Sequence, residues 1–490
     1  MLKAIEITNF KGVGDTIHIP IRPITLMFGA NSSGKSTILH ALQFAYEVLV
    51  HQNLDADITE RGGHALNLGG FQNFVHNRDL NKKVTIAFDL DLQEAEDIAY
   101  FFPERNEDSN GELDSDLSAH IKTAKVSFSI GWNSLEKRPQ ITQYSVDLNG
   151  QFSAALNQDV GRKTVSLSYN LKHPLALVLW SKDDVESFTD SYEDIDIGNL
   201  YTALPIWGRA LEYIKREEYD YLPGGEYVIS QILVGVGQLF VDYLKRLRHI
   251  GPIREIISRN YEAVTSRIEG RWFEGKAAWD YLLTKATDDE IDLVGKWLGD
   301  EDKLHTGYRI IKERYKEKHS LEDNSLYSGP LAGANGSHTA ITLQSVHDDQ
   351  KFRLFDVGIG MSQLVPVVVA SLLRSTKILA VEQPELHIHP SIQVGLGDLF
   401  ASQIIDRECL FIIETHSEHL ILRLLRRIQE HNEEKLPLGA PKVNNEDISI
   451  VFFENTSQGM SVTPIGVDQK GEFTRRWPKG FFDERVGELF

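Results

Sequence analysis

The stretch Gly29-Ala30-Asn31-Ser32-Ser33-Gly34-Lys35-Ser36, followed by Thr37, constrains this chain more than any other. Its spacing is Gly-x4-Gly-Lys-[Ser/Thr]. Glycines let the backbone bend so that successive N–H groups converge on phosphate oxygens. The lysine ammonium reaches the outer phosphates, and the serine hydroxyl ligates Mg²⁺. The flanks suit that use. Pro23 to Phe28 is a short apolar run that reads as a buried strand, and Ile38, Leu42, Ala45 and Leu49 share one helical face. Strand, loop and helix follow in order, with the helix N-terminus aimed at an anion. Residues Asn31 to Thr37 are the candidate phosphate contacts, and Ser36 is also a candidate metal ligand.

A chain of 490 residues allows two to four domains and a large core. It contains no run of about 18 apolar residues, so no membrane span is expected. The start, Met-Leu-Lys-Ala-Ile-Glu, lacks the pattern of a signal peptide. Cys409 is the single cysteine, which excludes an intrachain disulfide framework and fits a reducing cytoplasm. It precedes the apolar run Leu410 to Ile413 and reads as a buried, inert thiol. The formal net charge of −20 argues against a surface coated for nucleic acid. Acid concentrates in Glu94–Asp116 and Asp183–Asp196, which read as solvated loops.

The order of elements suggests four parts. Residues 1–82 hold strands at Leu2–Thr8, Thr16–Ile21 and Ile24–Phe28, then the phosphate loop and its helix. Residues 83–175 alternate with period two around 84–92, 124–130, 140–148 and 164–169, and Asn149-Gly150 marks a hairpin. This reads as a half-buried antiparallel sheet. Residues 176–330 read as mostly helical, with an amphipathic segment Val228–Leu247, a break at Gly251-Pro252 and a second helical region Gly275–Lys318. Sustained heptads are missing, so a long coiled coil is not expected. Residues 331–490 return to α/β. Strands are expected at Phe352–Asp356, Ile378–Val381, Leu410–Ile413 and Ile448–Glu454, with helices at Ser362–Leu373, Ser391–Ala401 and Glu418–Gln429.

A phosphate loop needs partners that hold Mg²⁺ and position water. Lys377-Ile-Leu-Ala-Val-Glu382-Gln383-Pro384-Glu385 reads as a buried parallel strand delivering an acid to the sheet edge, with Glu382 as the Mg²⁺-associated carboxylate. Phe411-Ile-Ile-Glu414-Thr415-His416 reads as a second strand with polar groups at its tip, and His416 is placed to bond a terminal phosphate. In Asp356-Val-Gly358-Ile-Gly360-Met-Ser362-Gln363, small residues and a hydroxyl open an apolar helix, which makes another anion-binding end. One chain with two such ends suggests that two copies share each nucleotide. His387-Ile-His389 and His416-x-x-His419 carry too weak a spacing for zinc.

These motifs together resemble the ABC-type ATPase heads of the structural-maintenance (SMC), RecF and overcoming-lysogenization-defect (OLD) group. Asn9-Phe10-Lys11 looks like their N-terminal element near the adenine. Gly29–Ser36 is similar to Walker A, and Phe71-Gln72 lies where the Q-loop is expected, which would make Gln72 a metal contact. Gly358–Gln363 resembles a degenerate signature with Ser362 as the trans phosphate contact. Glu382–His389 resembles Walker B with its D-loop, and His416 the switch histidine. Gly251-Pro-Ile-Arg254-Glu, Glu382–Pro390, Glu414–His419 and the tail from Trp477 to Glu484 resemble bacterial ATPases with a DUF3696-type C-terminal region, close to those of the PARIS and Septu anti-phage systems. The resemblance implies an α/β P-loop fold with an antiparallel subdomain and a helical insertion. It also implies ATP and Mg²⁺ as cofactors, self-association, and an effector such as a Toprim or HNH nuclease.

One departure matters. Walker B usually ends Asp-Glu, and this chain has Glu382-Gln383. An amide does not accept a proton as a carboxylate does. Hydrolysis is then slow, or Glu385 or His416 positions the water, or ATP acts mainly as a clamp. The stretch after Ser417 is too short for a built-in Toprim domain, so nuclease activity is expected outside the chain. The alternative is a RecF-like repair ATPase that binds DNA directly, through Lys245, Arg246, Arg248, Arg254 and Arg259 or through Arg423, Arg426 and Arg427. The large insertion between Walker A and signature disfavours a transporter ATPase.

Overall fold

The computed structural model describes residues 2–59, 63–93, 120–176, 195–215, 225–258, 261–266, 268–316, 337–353, 356–456 and 459–478. Its centre is a six-stranded sheet in the order Leu247–Ile250, Ile378–Glu382, Leu410–Glu414, Ile24–Gly29, Ile448–Thr456, Gly459–Ile465. The first five strands are parallel, and the last two form an antiparallel hairpin. Ile24–Gly29, Ile378–Glu382 and Leu410–Glu414 are buried throughout, as strands covered on both faces must be.

This sheet separates two hydrophobic cores, and neighbouring residues of one strand enter different cores. Met27 faces the first, with the helix Lys35–His51 and the segment Gly225–Leu244. Ile24, Leu26 and Phe28 face the second, with the helices Ile359–Leu372, Pro390–Arg407 and Glu418–Asn432. The period of two in side-chain direction makes this division. Gly225–Leu244 is long and apolar enough by composition to cross a membrane, yet 78% of its most apolar window is buried in the protein.

The first core is closed on its other side by an eight-stranded antiparallel sheet. Its order is Ile195–Ile197, Val165–Tyr169, Gln151–Asn157, Arg138–Leu148, Thr123–Asn133, Val84–Asp91, Leu2–Thr8, Ile17–Pro20. The alternating strands at 84–169 are all present, and Asn149 and Gly150 turn the hairpin with φ of 49° and 79°. The sheet runs unbroken across the expected 82/83 boundary, because Leu2–Thr8 pairs with Val84–Asp91.

The region read as helical is corrected in part. Lys276–Thr284 and Asp288–Gly299 are helices, the latter opened by a capping box between Thr287 and Glu290. Tyr308–Lys316 is a strand, paired antiparallel with Ser337–Ser345, which in turn pairs with Lys351–Arg353. Leu247–Ile250 is also a strand, at the edge of the central sheet. The acidic stretch Glu94–Asp116, most of Asp183–Asp196, the Gly/Ser-rich start of 326–345 and the tail beyond Pro478 lie outside the described residues.

Candidate functional site

The phosphate loop leaves the C-terminal end of Ile24–Gly29 and closes at Gly34, which caps the helix Lys35–His51 with φ of 100°. Two close approaches require glycine. A Cβ on Gly29 would lie 2.3 Å from the Phe453 carbonyl oxygen, and one on Gly34 would lie 2.1 Å from Met460 Sδ. The hairpin Ile448–Ile465 thus lies against the loop. It also ties it down, since Asn455 Nδ2 donates to the Ser32 carbonyl at 2.9 Å.

Lys35 is 3% exposed. Its Nζ donates to the carbonyls of Gly29 and Ala30, each at 2.9 Å, and stands 3.8 Å from Glu414 Oε1. Burial pushes its pKa down, and Glu414 and Glu385 oppose that shift. Ser36 Oγ donates to Glu414 Oε2 at 2.6 Å. Ser33 Oγ is buried without a hydrogen-bond partner, while Asn31 and Ser32 are exposed and Thr37 is buried.

Three carboxylates gather beside the loop. Glu382 and Glu414 are register partners at the ends of neighbouring parallel strands. Glu382 is bound to His249, whose Nε2 lies 2.9 Å from Glu382 Oε1. Glu385 accepts from the His416 N–H at 2.7 Å and the Thr415 hydroxyl at 2.8 Å, so it holds the turn that carries His416. Burial raises the pKa of both Glu385 and Glu414. Burial, with Lys35 adding repulsion, lowers that of His416 and favours the neutral imidazole. Gln383 stands beyond the strand in a left-handed conformation, φ 46°, with its N–H donating to the Glu414 carbonyl at 2.7 Å.

Behind these acids lies a buried basic layer. The Arg254 guanidinium donates to the main-chain carbonyls of Glu382 at 2.7 Å and Gln383 at 3.2 Å. Gln363 grips the main chain of the same residue. Its Oε1 accepts from the Arg254 N–H at 3.1 Å, and its Nε2 donates to the Arg254 carbonyl at 2.6 Å. On the other flank, Lys11 Nζ contacts His40 Nδ1 at 2.5 Å.

The structure brings together Lys35, Ser36, Glu382, Gln383, Glu385 and His416. Two expected contacts sit differently. Ser362 is 4% exposed, and what the start of its helix offers to solvent is Gly358 and Ile359. Gln72 is exposed on the short helix Phe71–Phe74. His389 caps the helix Pro390–Arg407, which is a structural use. Among the described residues the one cluster with metal-ligand spacing is Glu6, His18 and Asp89, and Lys125 already pairs with both of its carboxylates. Glu414, His249 and His40 were missed as site residues. Glu414 carried a signal, a carboxylate ending an apolar strand as Glu382 does.

The candidate DNA contacts are largely engaged within the chain. Arg427 binds Asp398 through two nitrogens and also Glu430, Arg426 pairs with Glu430, and Arg423 with Asp398. Lys245 pairs with Asp242, Arg248 lies over Trp272 and donates to Ser375, and Arg254 is buried. Arg259 lies outside the described residues.

Three family profiles match the chain. Residues 1–174 match "AAA ATPase domain", and residues 257–423 match "AAA domain, putative AbiEii toxin, Type IV TA system". Residues 443–490 match "Protein of unknown function (DUF3696)". No curated protein matches. Among solved structures, an SMC head bound to the C-terminal winged-helix domain of ScpA is similar at 12% identity and TM-score 0.41, covering 96% of this chain and 98% of that one. The SMC head domain from Thermotoga maritima is similar at 9% and 0.38, covering 95% and 99%. An SMC head with an extended coiled coil, bound to the C-terminal domain of ScpA from Pyrococcus furiosus, is similar at 10% and 0.38, covering 100% and 98%. The parallel core, the phosphate loop and the two ATPase-domain matches define a P-loop ATPase. At its C-terminal end, residues 443–490 are similar to the DUF3696 family.

Proposed function

We propose that this ATPase binds ATP with Mg²⁺, turns it over slowly, and uses the bound nucleotide to join two copies that signal to a separate effector, a nuclease of anti-phage defence. The observation that carries the reading is the meeting of Lys35 and Ser36 with Glu414, whose register partner on the neighbouring strand is Glu382, with the amide of Gln383 at the position where a water-positioning carboxylate is usual. The residues fit the metal. An Mg²⁺ ion takes oxygen ligands, and the Ser36 hydroxyl already faces a carboxylate. When bound, the ion would neutralise phosphate charge. The chain's own parts do the rest. Lys35 supplies the cation, the loop N–H groups supply donors, and Glu385 orients the His416 turn. Slow turnover follows from Gln383, which offers water an amide oxygen of low basicity.

Self-association is supported by the rim of the site. Ile253, Ile256 and Ile359 are exposed, on two segments that Arg254 and Gln363 tie together. A second copy sharing the nucleotide would cover them. The test is equilibrium binding of radiolabelled ATP, with light scattering of the same samples. Wild type should bind and shift to a dimer or larger assembly with ATP, and Lys35→Ala should do neither. Equal binding by Lys35→Ala sinks the reading. The RecF-like alternative would need free cations, and most of its candidates are paired or buried.

A further inference from the structure

We infer that His249 is a positioning residue for Glu382: its imidazole fixes the carboxylate through one oxygen and leaves the other to face the ion. The inference rests on the reading of the phosphate loop as an Mg-ATP site in which Glu382 is the metal's carboxylate, and it assigns a residue behind that site. Backbone register sets the geometry. Leu247–Ile250 runs parallel to Ile378–Glu382 with His249 opposite Ala380, and Glu382 follows Ala380 by one strand repeat, so both side chains leave the same face of the sheet. That face carries the helix Lys35–His51, since Leu247 and Ala380 enter the same core as Leu39 and Leu42. His249 Nε2 donates to Glu382 Oε1 at 2.9 Å. Among the described residues no hydrogen bond engages Oε2.

Packing does not account for an imidazole at this position. His249 is fully buried, and its Nδ1 has no hydrogen-bond partner. A buried polar atom left unpaired costs stability, and an apolar side chain of similar size would avoid that cost. The ring's one hydrogen bond goes to Glu382, so that contact is what the site gains. The ring is braced as well. Phe273 meets it edge-on at 4.9 Å between ring centres. Phe273 fits there because Gly251 has no Cβ, which would lie 2.7 Å from the ring. Arg254 holds the Glu382 main-chain carbonyl. One segment, His249 to Arg254, thus fixes both the backbone and the side chain of Glu382. A carboxylate already held in one rotamer meets a cation without first losing side-chain freedom.

The test is retention of Mn²⁺, a paramagnetic stand-in for Mg²⁺, read by electron paramagnetic resonance on the full chain with ATP. ATP binding in EDTA and the thermal midpoint are measured on the same samples. His249→Asn and His249→Gln carry the same amide and differ in reach, since only glutamine brings its nitrogen near the Nε2 position. His249→Asn should weaken Mn²⁺ retention about tenfold or more, and His249→Gln should lose much less. ATP binding in EDTA should change by less than about threefold in both, as for groups that share no contact. A second arm repeats His249→Asn in a Glu382→Asp background, where the shortened carboxylate no longer meets Nε2. There it should cost less than about threefold, because an effect that passes through Glu382 is already lost. Should His249→Asn fail to fold, His249→Phe, which keeps a ring and lacks the donor, takes its place in both arms. Wild-type retention without the donor, equal losses in His249→Asn and His249→Gln, or an undiminished loss in the Glu382→Asp background overturns the inference. Failure of wild type to bind ATP, or to retain Mn²⁺ with it, overturns the reading of the site instead.

Discussion

The guanidinium of Arg254 donates to the main-chain carbonyl of Glu382 at 2.7 Å, and only 1% of the arginine is exposed. Its pKa is lowered to about 10, chiefly by burial, so it stays charged at neutral pH. Arg254→Ala should cost about 3 kcal/mol, because it leaves carbonyls at the strand tip without a donor. Arg254→Lys should recover little, since a single ammonium cannot span both carbonyls as the planar fork does. Urea unfolding of the two variants checks this. A loss below about 1 kcal/mol in Arg254→Ala would show that water replaces the guanidinium.

Gln383 is the departure with the clearest kinetic consequence. Gln383→Glu should raise steady-state turnover about tenfold or more, by restoring an acceptor for the proton of the attacking water. Unchanged or lower turnover would mean that the position does not face the water.

His40 carries a pH dependence whose sign is set by its surroundings. Burial, then repulsion from Lys11 and His249, lowers its pKa from 6.5 to about 2. As pH falls below 6.5 the unfolded chain takes up a proton that the folded chain refuses, so stability declines. One such proton is worth about 1.4 kcal/mol per pH unit, or about 2 kcal/mol between pH 6.5 and 5. His40→Gln should remove that share of the acid limb in urea titrations at the two pH values. Lys11, pushed down to about 8 mainly by burial, acts in an alkaline window. Its cost is present at pH 7 and is relieved as pH rises from about 8 towards 10.5. A Lys11→Met variant should lack that rise.

Gly34 combines φ of 100° with contact to Met460. Gly34→Ala should weaken ATP binding by about tenfold or more and cost about 1–3 kcal/mol of stability, from backbone strain together with the clash. Adding Met460→Ala removes the clash and not the strain, so recovery should be partial. Complete recovery would assign the whole effect to the methionine.

Much of the fold was legible because its cues are local. Leu2–Thr8 has the bounds that its alternation suggests, and Leu410–Glu414 and Glu418–Asn432 extend their expected segments by only a few residues. Tyr308–Lys316 was not legible as a strand. Its sequence, Tyr-Arg-Ile-Ile-Lys-Glu-Arg-Tyr-Lys, mixes charge and apolar residues in a way that fits either period, and pairing with Ser337–Ser345 decides it. Trp477 was visible as part of a terminal motif, while its use is tertiary. It packs edge-on against Phe28, the residue before Gly29, at 5.2 Å between ring centres.

The phosphate loop belongs to the sequence. Two glycines, a lysine and a serine at set spacing dictate a turn of converging N–H groups wherever a strand and a helix flank them, because backbone freedom is a local property. Which acid meets Ser36 is decided by the tertiary structure. Glu382 and Glu414 each end an apolar strand and look equivalent along the chain, and only the strand order places Glu414 beside the loop and Glu382 beside His249. Lateral order in a parallel sheet comes from how crossover helices pack between two cores, and no short stretch of sequence carries that information.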